Sequence, residues 1–279
     1  MSTRATTTRE RTVVRVSNGV QLESHERVVT EEPLAIRIDG DTLSVTMRTP
    51  GHDRELALGF LFSEGAIRTA DDVSSLAHCG KDDARENTLD VVLAPGVRPP
   101  IDEHGELARR GTLVSSACGV CGRRTIDDWL ALFAPLPLPT SEELTLTTLG
   151  REMLALRGRQ PCFDATGGCH AATLLRGGEP IATFEDVGRH NAVDKVVGSQ
   201  LRQRMRLPLS GHALLVSGRA SFEIVQKAVA AGIGIVASVS APSSLAIELA
   251  DSARVTLVGF VREGRATVYT HGLRVGIAT

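Results

Sequence analysis

The sequence predicts an α/β fold preceded by a smaller, strand-rich N-terminal part. Two observations come from the last third of the chain. Apolar runs at residues 213–217 and 233–239 predict buried strands, and helical segments follow them at residues 222–231 and 245–250. This order is typical of parallel strands joined by a right-handed crossover. The third observation is that residues 13–97 consist mainly of short apolar runs, which favour strands.

The N-terminal part contains a predicted hairpin and a predicted helix. Residues 34–38 and 43–47 flank the turn-forming residues 39–41, of sequence Asp-Gly-Asp, which is typical of a β-hairpin. An apolar stretch after this hairpin predicts a short helix that ends near Gly65. Residues 89–93 predict a further strand.

These elements divide the chain into three parts. Residues 1–12 are polar and are expected to form a mobile tail. Residues 13–111 form the strand-rich part, and residues 95–111 within it are a loop rich in proline, glycine and charge. Residues 112–279 form the α/β domain, in which residues 125–134 predict an amphipathic helix.

The composition excludes several classes of protein. The chain has 279 residues, 42% of them apolar, and a net charge of −2, so no uniform basic field for nucleic acid is expected. No apolar run is long enough to cross a bilayer, and the N-terminal residues lack the apolar core of a signal peptide. Five cysteines are too few for a secreted disulfide framework. The sequence therefore predicts a cytoplasmic protein with neither a membrane nor a nucleic-acid partner.

Cys118 and Cys121 form the most informative motif of the chain. The two thiols are one turn apart, glycines adjoin them, and Arg123 and Arg124 follow. Adjacent positive charge lowers the pKa of a cysteine, and the thiolate is the reactive form. The dipole of the helix predicted to follow acts in the same direction. Sulfur transfer, redox exchange and metal binding all use this chemistry.

The redox and structural-zinc interpretations lack supporting context. A thioredoxin-type pair belongs at the start of a βαβ pattern, which is missing here. Cys162, Cys169 and His170 could add zinc ligands, but their spacing matches no finger or ribbon. A plain turn that carries two thiols also remains an alternative.

A zinc-dependent deaminase is a further alternative. Such enzymes carry H-x-E followed by P-C-x-x-C, and His104 and Glu106 precede Cys118 in this order. However, Ala117 replaces the proline, and the His-Gly-Glu segment lies in a polar, loop-like stretch. This weakens the deaminase hypothesis without removing it.

A second cluster predicts an anion site. Gly188 is followed by Arg189, His190 and Asn191 at a predicted helix start, where backbone N–H groups and a cation suit a phosphate. The alternative is an ordinary capped helix in which His190 makes a structural hydrogen bond.

Two polar loops favour the same kind of ligand. Residues 218–221, which include Arg219, and residues 240–244 both follow predicted parallel strands, and ligands of open α/β sheets bind at that edge. The chain has neither the P-loop nor the dinucleotide fingerprint. The two loops could also be simple helix caps.

Taken together, these stretches resemble the formate dehydrogenase accessory sulfurtransferase family (FdhD/NarQ). The resemblance implies a cytidine deaminase-like three-layer domain with a mixed sheet. It also implies a homodimeric protein that accepts persulfide sulfur from a cysteine desulfurase and delivers it to the molybdenum cofactor of formate dehydrogenase, Mo-bis(molybdopterin guanine dinucleotide). The matching segments are residues 31–34, 47–51, 55–65, 118–122, 185–195, 216–223 and 240–245.

The resemblance also implies roles for single residues. Cys118 matches the persulfide-bearing residue and Cys121 its partner, with no metal bound directly by the protein. Charge placement favours cofactor phosphates near Arg219, Arg189 and His190. A non-catalytic chaperone that binds the cofactor remains an alternative. The residues at which the family contacts the guanine dinucleotide cofactor match a predicted C-terminal hairpin: Phe260, Val261, Arg262, Glu263, Gly264 and Arg265.

Overall fold

A computed structural model of the chain describes residues 6–80, 86–98, 130 and 133–278. Within these ranges the strands form a two-stranded, a four-stranded and a six-stranded sheet. The strands are β1 Thr8–Ser17, β2 Val20–Val29, β3 Glu32–Ile38, β4 Asp41–Arg48, β5 Val73–His78, β6 Thr88–Leu93, β7 His170–Arg176, β8 Glu179–Asp186, β9 His212–Val216, β10 Ile235–Ser238, β11 Thr256–Arg262 and β12 Arg265–Thr270. The helices are α1 Asp53–Ser63, α2 Leu146–Leu156, α3 Pro161–Thr166, α4 Arg189–Arg202, α5 Phe222–Ala231 and α6 Ser244–Ser252.

The six-stranded sheet is mixed, as the resemblance implies. Its order is β12-β11-β10-β9-β7-β8. Strands β9, β10 and β11 are parallel, whereas β7, β8 and β12 run antiparallel to their neighbours. Helix α5 connects β9 to β10, and α6 connects β10 to β11, as expected of parallel strands.

Helices cover both faces of this sheet, because successive side chains of a strand point to opposite faces. Leu214 of β9 belongs to the core shared with α4, α5 and α6. Its neighbour Leu215 belongs to the core formed with Leu149 and Met153 of α2. The α/β domain therefore has three layers. Its likeness to cytidine deaminases stays a prediction.

The strand-rich N-terminal part packs on this domain through two glycines. Helices α1 and α4 cross at Gly59 and Gly198, where the backbones approach closely. A Cβ on Gly59 would overlap the carbonyl oxygen of Asp194, and a Cβ on Gly198 would overlap that of Glu55. The apolar residues of β3, β6 and α1 consequently share one core with α4 and α5.

Several predicted elements are confirmed and one is corrected. The β3–β4 hairpin, α1, β6 and α5 lie where the sequence places them. The mobile tail over residues 1–12 is wrong from Thr8 onward, since β1 begins there and pairs Thr8 with Val29. Alternating charged and β-branched residues favour this strand, and the Asn18-Gly19 turn, with both φ angles positive, closes its hairpin. The boundary at residue 111 and most of the predicted helix 125–134 lie outside the described residues.

Candidate functional site at the sheet edge

Cys118 and Cys121, the residues predicted to carry sulfur, lie outside the described residues. Among the described residues, the candidate ligand site lies at the carboxyl edge of the parallel strands. This is the edge at which ligands of open α/β sheets bind.

A cavity of about 380 Å³ opens at this edge, on the face covered by α2. Ser217 and Val239, which follow β9 and β10, form part of its wall. Met153 and Leu156 of α2 form the apolar side, and His170 at the start of β7 contributes a polar group. Its volume lies within the usual range of small-molecule sites, roughly 300–1,000 Å³.

Three of the residues predicted to contact the cofactor line this cavity. They are Val261, Arg262 and Glu263, at the end of β11 and the following turn. The guanidinium of Arg262 donates hydrogen bonds of 2.7 Å each to the carbonyl oxygens of Val239 and Val261. The hairpin is thereby fixed to the end of β10, which places the cavity wall on a rigid element.

The other three predicted hairpin residues are not among those that line the cavity. Phe260 is 47% exposed and has a φ of 52°, at an irregularity where β11 and β12 change register. Its N–H donates to the carbonyl oxygen of Ser240, 3.2 Å away. Gly264, with a φ of 75°, belongs to the exposed turn that joins the two strands, and the exposed Arg265 begins β12.

A basic cluster of His170, Arg189 and Arg219 lies beside the cavity, and His170 belongs to both. His170 and Arg189 both approach the backbone at Gly218, where an added Cβ would lie 3.3 Å from His170 Nδ1 and 3.9 Å from Arg189 Cδ. Burial lowers the pKa of His170, and the charges of Arg189 and Arg219 lower it further. Within the described part of the chain, the buried Nε of Arg189 has no hydrogen-bond partner. An anion that accepted from Arg189 would also favour a protonated His170.

His190 contacts Glu223 and Ser221. Its Nε2 lies 2.8 Å from a carboxylate oxygen of Glu223 and 3.0 Å from the hydroxyl of Ser221. Burial lowers the pKa of His190, against the opposing effect of Glu223. Burial acts to raise the pKa of Glu223, but the hydrogen bond to His190 and nearby positive charges hold it below its ordinary value. These contacts fit the alternative in which His190 makes a structural hydrogen bond, and direct cofactor contact stays a prediction.

A buried ionic network fixes the start of α4. The Asp186 carboxylate lies 2.6 Å from Lys195 Nζ and accepts from the Gly188 N–H at 2.8 Å and the Asn191 amide at 3.0 Å. It also accepts from the N–H of Thr49 in the N-terminal part, at 3.2 Å. The sequence motifs described above do not include this network, although an Asp and a Lys within one polar motif indicate such a pair. The network holds Arg189 at the mouth of the basic cluster.

Cys162, Cys169 and His170 do not form a metal site among themselves, while a zinc site that also uses Cys118 or Cys121 lies outside the described residues. Among the described residues, no group of three or more His, Cys, Asp or Glu side chains is placed to hold a metal ion. The deaminase residues His104, Glu106 and Cys118 lie outside the described residues. Among the helices of the described part of the chain, none is long and apolar enough to cross a membrane.

Fold and site together define an α/β protein with a cavity and a basic cluster at the carboxyl edge of a mixed sheet. Comparison with known proteins makes this class specific. The model of the FdhD/NarQ family matches residues 29–276, and the chain belongs to this family. The resemblance seen in the sequence motifs is thereby confirmed.

Relatives match over nearly the whole chain. The "Sulfur carrier protein FdhD" of Anaeromyxobacter dehalogenans (strain 2CP-1) is 52% identical over 277 residues, covering 96% of this chain and 93% of the relative. The protein of the same name from Mycolicibacterium paratuberculosis is 47% identical, covering 96% and 99%. The crystal structure of a putative formate dehydrogenase accessory protein from Desulfotalea psychrophila is 26% identical with a TM-score of 0.74, covering 97% of this chain and 100% of that one.

Proposed function

We propose that this protein is a sulfur carrier and sulfurtransferase required for formate dehydrogenase activity. It accepts persulfide sulfur from a cysteine desulfurase on Cys118 and delivers it to Mo-bis(molybdopterin guanine dinucleotide), which it binds as a substrate. The names of the relatives support sulfur transfer. The observation that carries the binding half is the cavity beside a basic cluster in which the Nε of Arg189 lacks a partner within the described residues.

The proposed sulfur transfer requires no added oxidant. The Cys118 thiolate attacks the terminal sulfur of the desulfurase persulfide, the donor leaves as a thiolate, and Cys118–S–SH forms. Cys121, as a thiolate, then attacks Sγ of Cys118, and hydrosulfide leaves as a disulfide forms. The sulfane sulfur is reduced, the two thiols are oxidised, and a dithiol reductant resets the pair. Arg123 and Arg124 stabilise the thiolates.

The sheet edge provides two neighbouring environments for the substrate. Arg189 and Arg219, with His170 beside them, suit the phosphate groups, because guanidinium groups bind phosphate through charge-assisted hydrogen bonds. The N-terminus of α4 adds backbone N–H donors at the same place. The cavity beneath the hairpin, lined by Arg262 and Glu263, suits a guanine base.

The decisive experiment is the mass of the intact protein after incubation with a desulfurase and cysteine, without reducing agent. We expect a gain of one sulfur atom that maps to Cys118 and disappears in Cys118→Ser. Cys79→Ser is the matched control, because Cys79 is a half-buried thiol just after β5. Absence of the adduct, or an adduct that persists in Cys118→Ser, would contradict the proposed carrier role.

The described geometry also fits a non-catalytic chaperone, since the cavity and the basic cluster concern binding alone. The two functions differ in their need for Cys118. A Cys118→Ala variant in a strain without the native protein distinguishes them. Full restoration of formate dehydrogenase activity would favour the chaperone, and its loss with retained cofactor binding would favour sulfur transfer.

A further inference from the structure

A second pair of thiols lies next to the cavity. Cys162 in α3 and Cys169 just before β7 are both buried, and their Sγ atoms are 2.8 Å apart. A disulfide bond is about 2.05 Å long, so the two sulfur atoms lie within about 1 Å of bonding distance. The pair is separate in the chain from Cys118 and Cys121, and the proposed sulfur transfer does not use it.

The surrounding structure holds the two sulfurs together. The carboxylate of Glu185 accepts from the N–H groups of Cys162, at 2.9 Å, and Phe163, at 2.8 Å, which ties α3 to β8. The hydroxyl of Thr166 donates to the carbonyl oxygen of Cys162 at 2.7 Å. Gly167, with a φ of 67°, reverses the chain between the two cysteines. The ordering that a new bond between them requires is therefore already present in the fold.

The two thiols differ in their position relative to the cavity. Cys169 lines the cavity, whereas Cys162 is not among the lining residues. Burial and the contact with Cys162 raise the pKa of Cys169, so its resting state is the thiol. A small molecule in the cavity would meet Cys169 first and Cys162 behind it.

We propose that Cys162 and Cys169 form a thiol–disulfide exchange site, which a low-molecular-weight disulfide entering the cavity converts to an intramolecular disulfide. Cys169, after losing its proton, attacks one sulfur of the small disulfide, and the first small thiolate leaves. Cys162, likewise deprotonated, attacks Sγ of Cys169, and the second small thiolate leaves. The protein loses two hydrogens, and the small disulfide becomes two thiols. The cavity wall near Arg262 thus carries a group whose redox state can change.

Tryptic mapping isolates this pair from the other cysteines. Cleavage after Arg159 and Arg176 releases residues 160–176, which contain only this pair, whereas Cys118 and Cys121 fall in residues 111–123. The folded full-length chain is equilibrated with mixtures of 2-hydroxyethyl disulfide and 2-mercaptoethanol, quenched with acid, alkylated and digested. We expect peptide 160–176 to pass from two alkyl groups to none, with a loss of two hydrogens and little singly alkylated product.

Two variants test the order of attack. Cys162→Ser should trap 2-mercaptoethanol on Cys169, because the resolving thiol is missing. Cys169→Ser should leave Cys162 unmodified behind the cavity wall. The titration of the unaltered chain tests whether the Cys162–Cys169 disulfide forms, even if a variant does not fold. The proposal is overturned if peptide 160–176 keeps both alkyl groups, or accumulates the mixed disulfide, under conditions that oxidise Cys118 and Cys121.

Discussion

Two charged regions meet at the start of α4, and they differ in how their charges are satisfied. Beneath the helix, the buried Asp186 carboxylate has the Lys195 ammonium and three N–H donors. At the sheet edge, Arg189 and Arg219 lie near His170 with their positive charges together, and the Nε of Arg189 has no partner among the described residues. The buried charges hold the fold, because unpaired they would be costly. Under the proposed function, the edge charges bind the phosphate groups of the ligand.

Breaking the buried pair should have the largest effect. Lys195→Met leaves the Asp186 carboxylate buried without its cation, and loss of one partner costs about 3–5 kcal/mol. Urea unfolding should show a loss of this size in the free energy of unfolding. Arg206→Met is the matched control, since Arg206 is exposed. A loss in Lys195→Met as small as in this control would contradict the assignment of Lys195 to the fold.

The edge cluster should respond in the opposite way. GDP serves as a probe for the guanine nucleotide part of the proposed ligand. Arg189→Met should weaken binding of GDP by about 10- to 100-fold, because a hydrogen bond to a charged group contributes about 1.5–3 kcal/mol. Its free energy of unfolding should change far less than in Lys195→Met, because Arg189 is half-buried and its Nε has no partner to lose among the described residues. Calorimetric titration measures the first quantity and urea unfolding the second. Unchanged GDP affinity would remove Arg189 from the binding site.

The pH dependence of GDP binding sharpens the role of His170. Its pKa in the free protein lies below the ordinary 6.5, and a bound phosphate should raise it. Binding then takes up a proton between these two pKa values, so affinity should rise as pH falls through that window, by at most about tenfold per pH unit. His170→Gln should flatten the profile relative to the unaltered chain. An identical profile in this variant would show that another group titrates.

The smallest effect is expected at His190. Glu223→Gln removes the charge that faces His190 Nε2, and a partly exposed ion pair contributes about 1 kcal/mol or less. The pKa of His190 should fall further, because burial then acts with less opposition. Proton NMR of the imidazole measures this shift. A rise in the pKa would show that Glu223 does not govern it.

The sequence predicts those parts of the fold whose signals are local. Helix α5 is one example, since its apolar spacing and Gly232, with a φ of 73°, define both of its ends. Helix α2 carries a comparable local signal, since Leu149, Met153 and Leu156 are spaced for one face and Thr145 caps the helix. The apolar pattern does not reveal the β1–β2 hairpin, because most of its side chains are exposed, although its Asn-Gly turn is a strong indicator.

The site was predictable only where parallel strands bring loops together. Arg189 and Arg219 follow from that rule, because helix starts and strand ends meet at one edge. His170 and Cys169 do not, since β7 runs antiparallel to β9 and reaches the same edge from its amino end. The proximity of two thiols also depends on the tertiary structure. The spacing of Cys162 and Cys169 gave no sign that their sulfurs would lie together.

The glycine contact between α1 and α4 also sets a time during synthesis. Gly59 is made 139 residues before Gly198, the position that completes its packing partner. At about 5–20 residues per second, the ribosome needs roughly 7–28 s to cover that distance. During this interval the apolar face of α1 has no partner in α4. The nascent chain is therefore most open to aggregation and chaperone binding before the second half of the protein emerges.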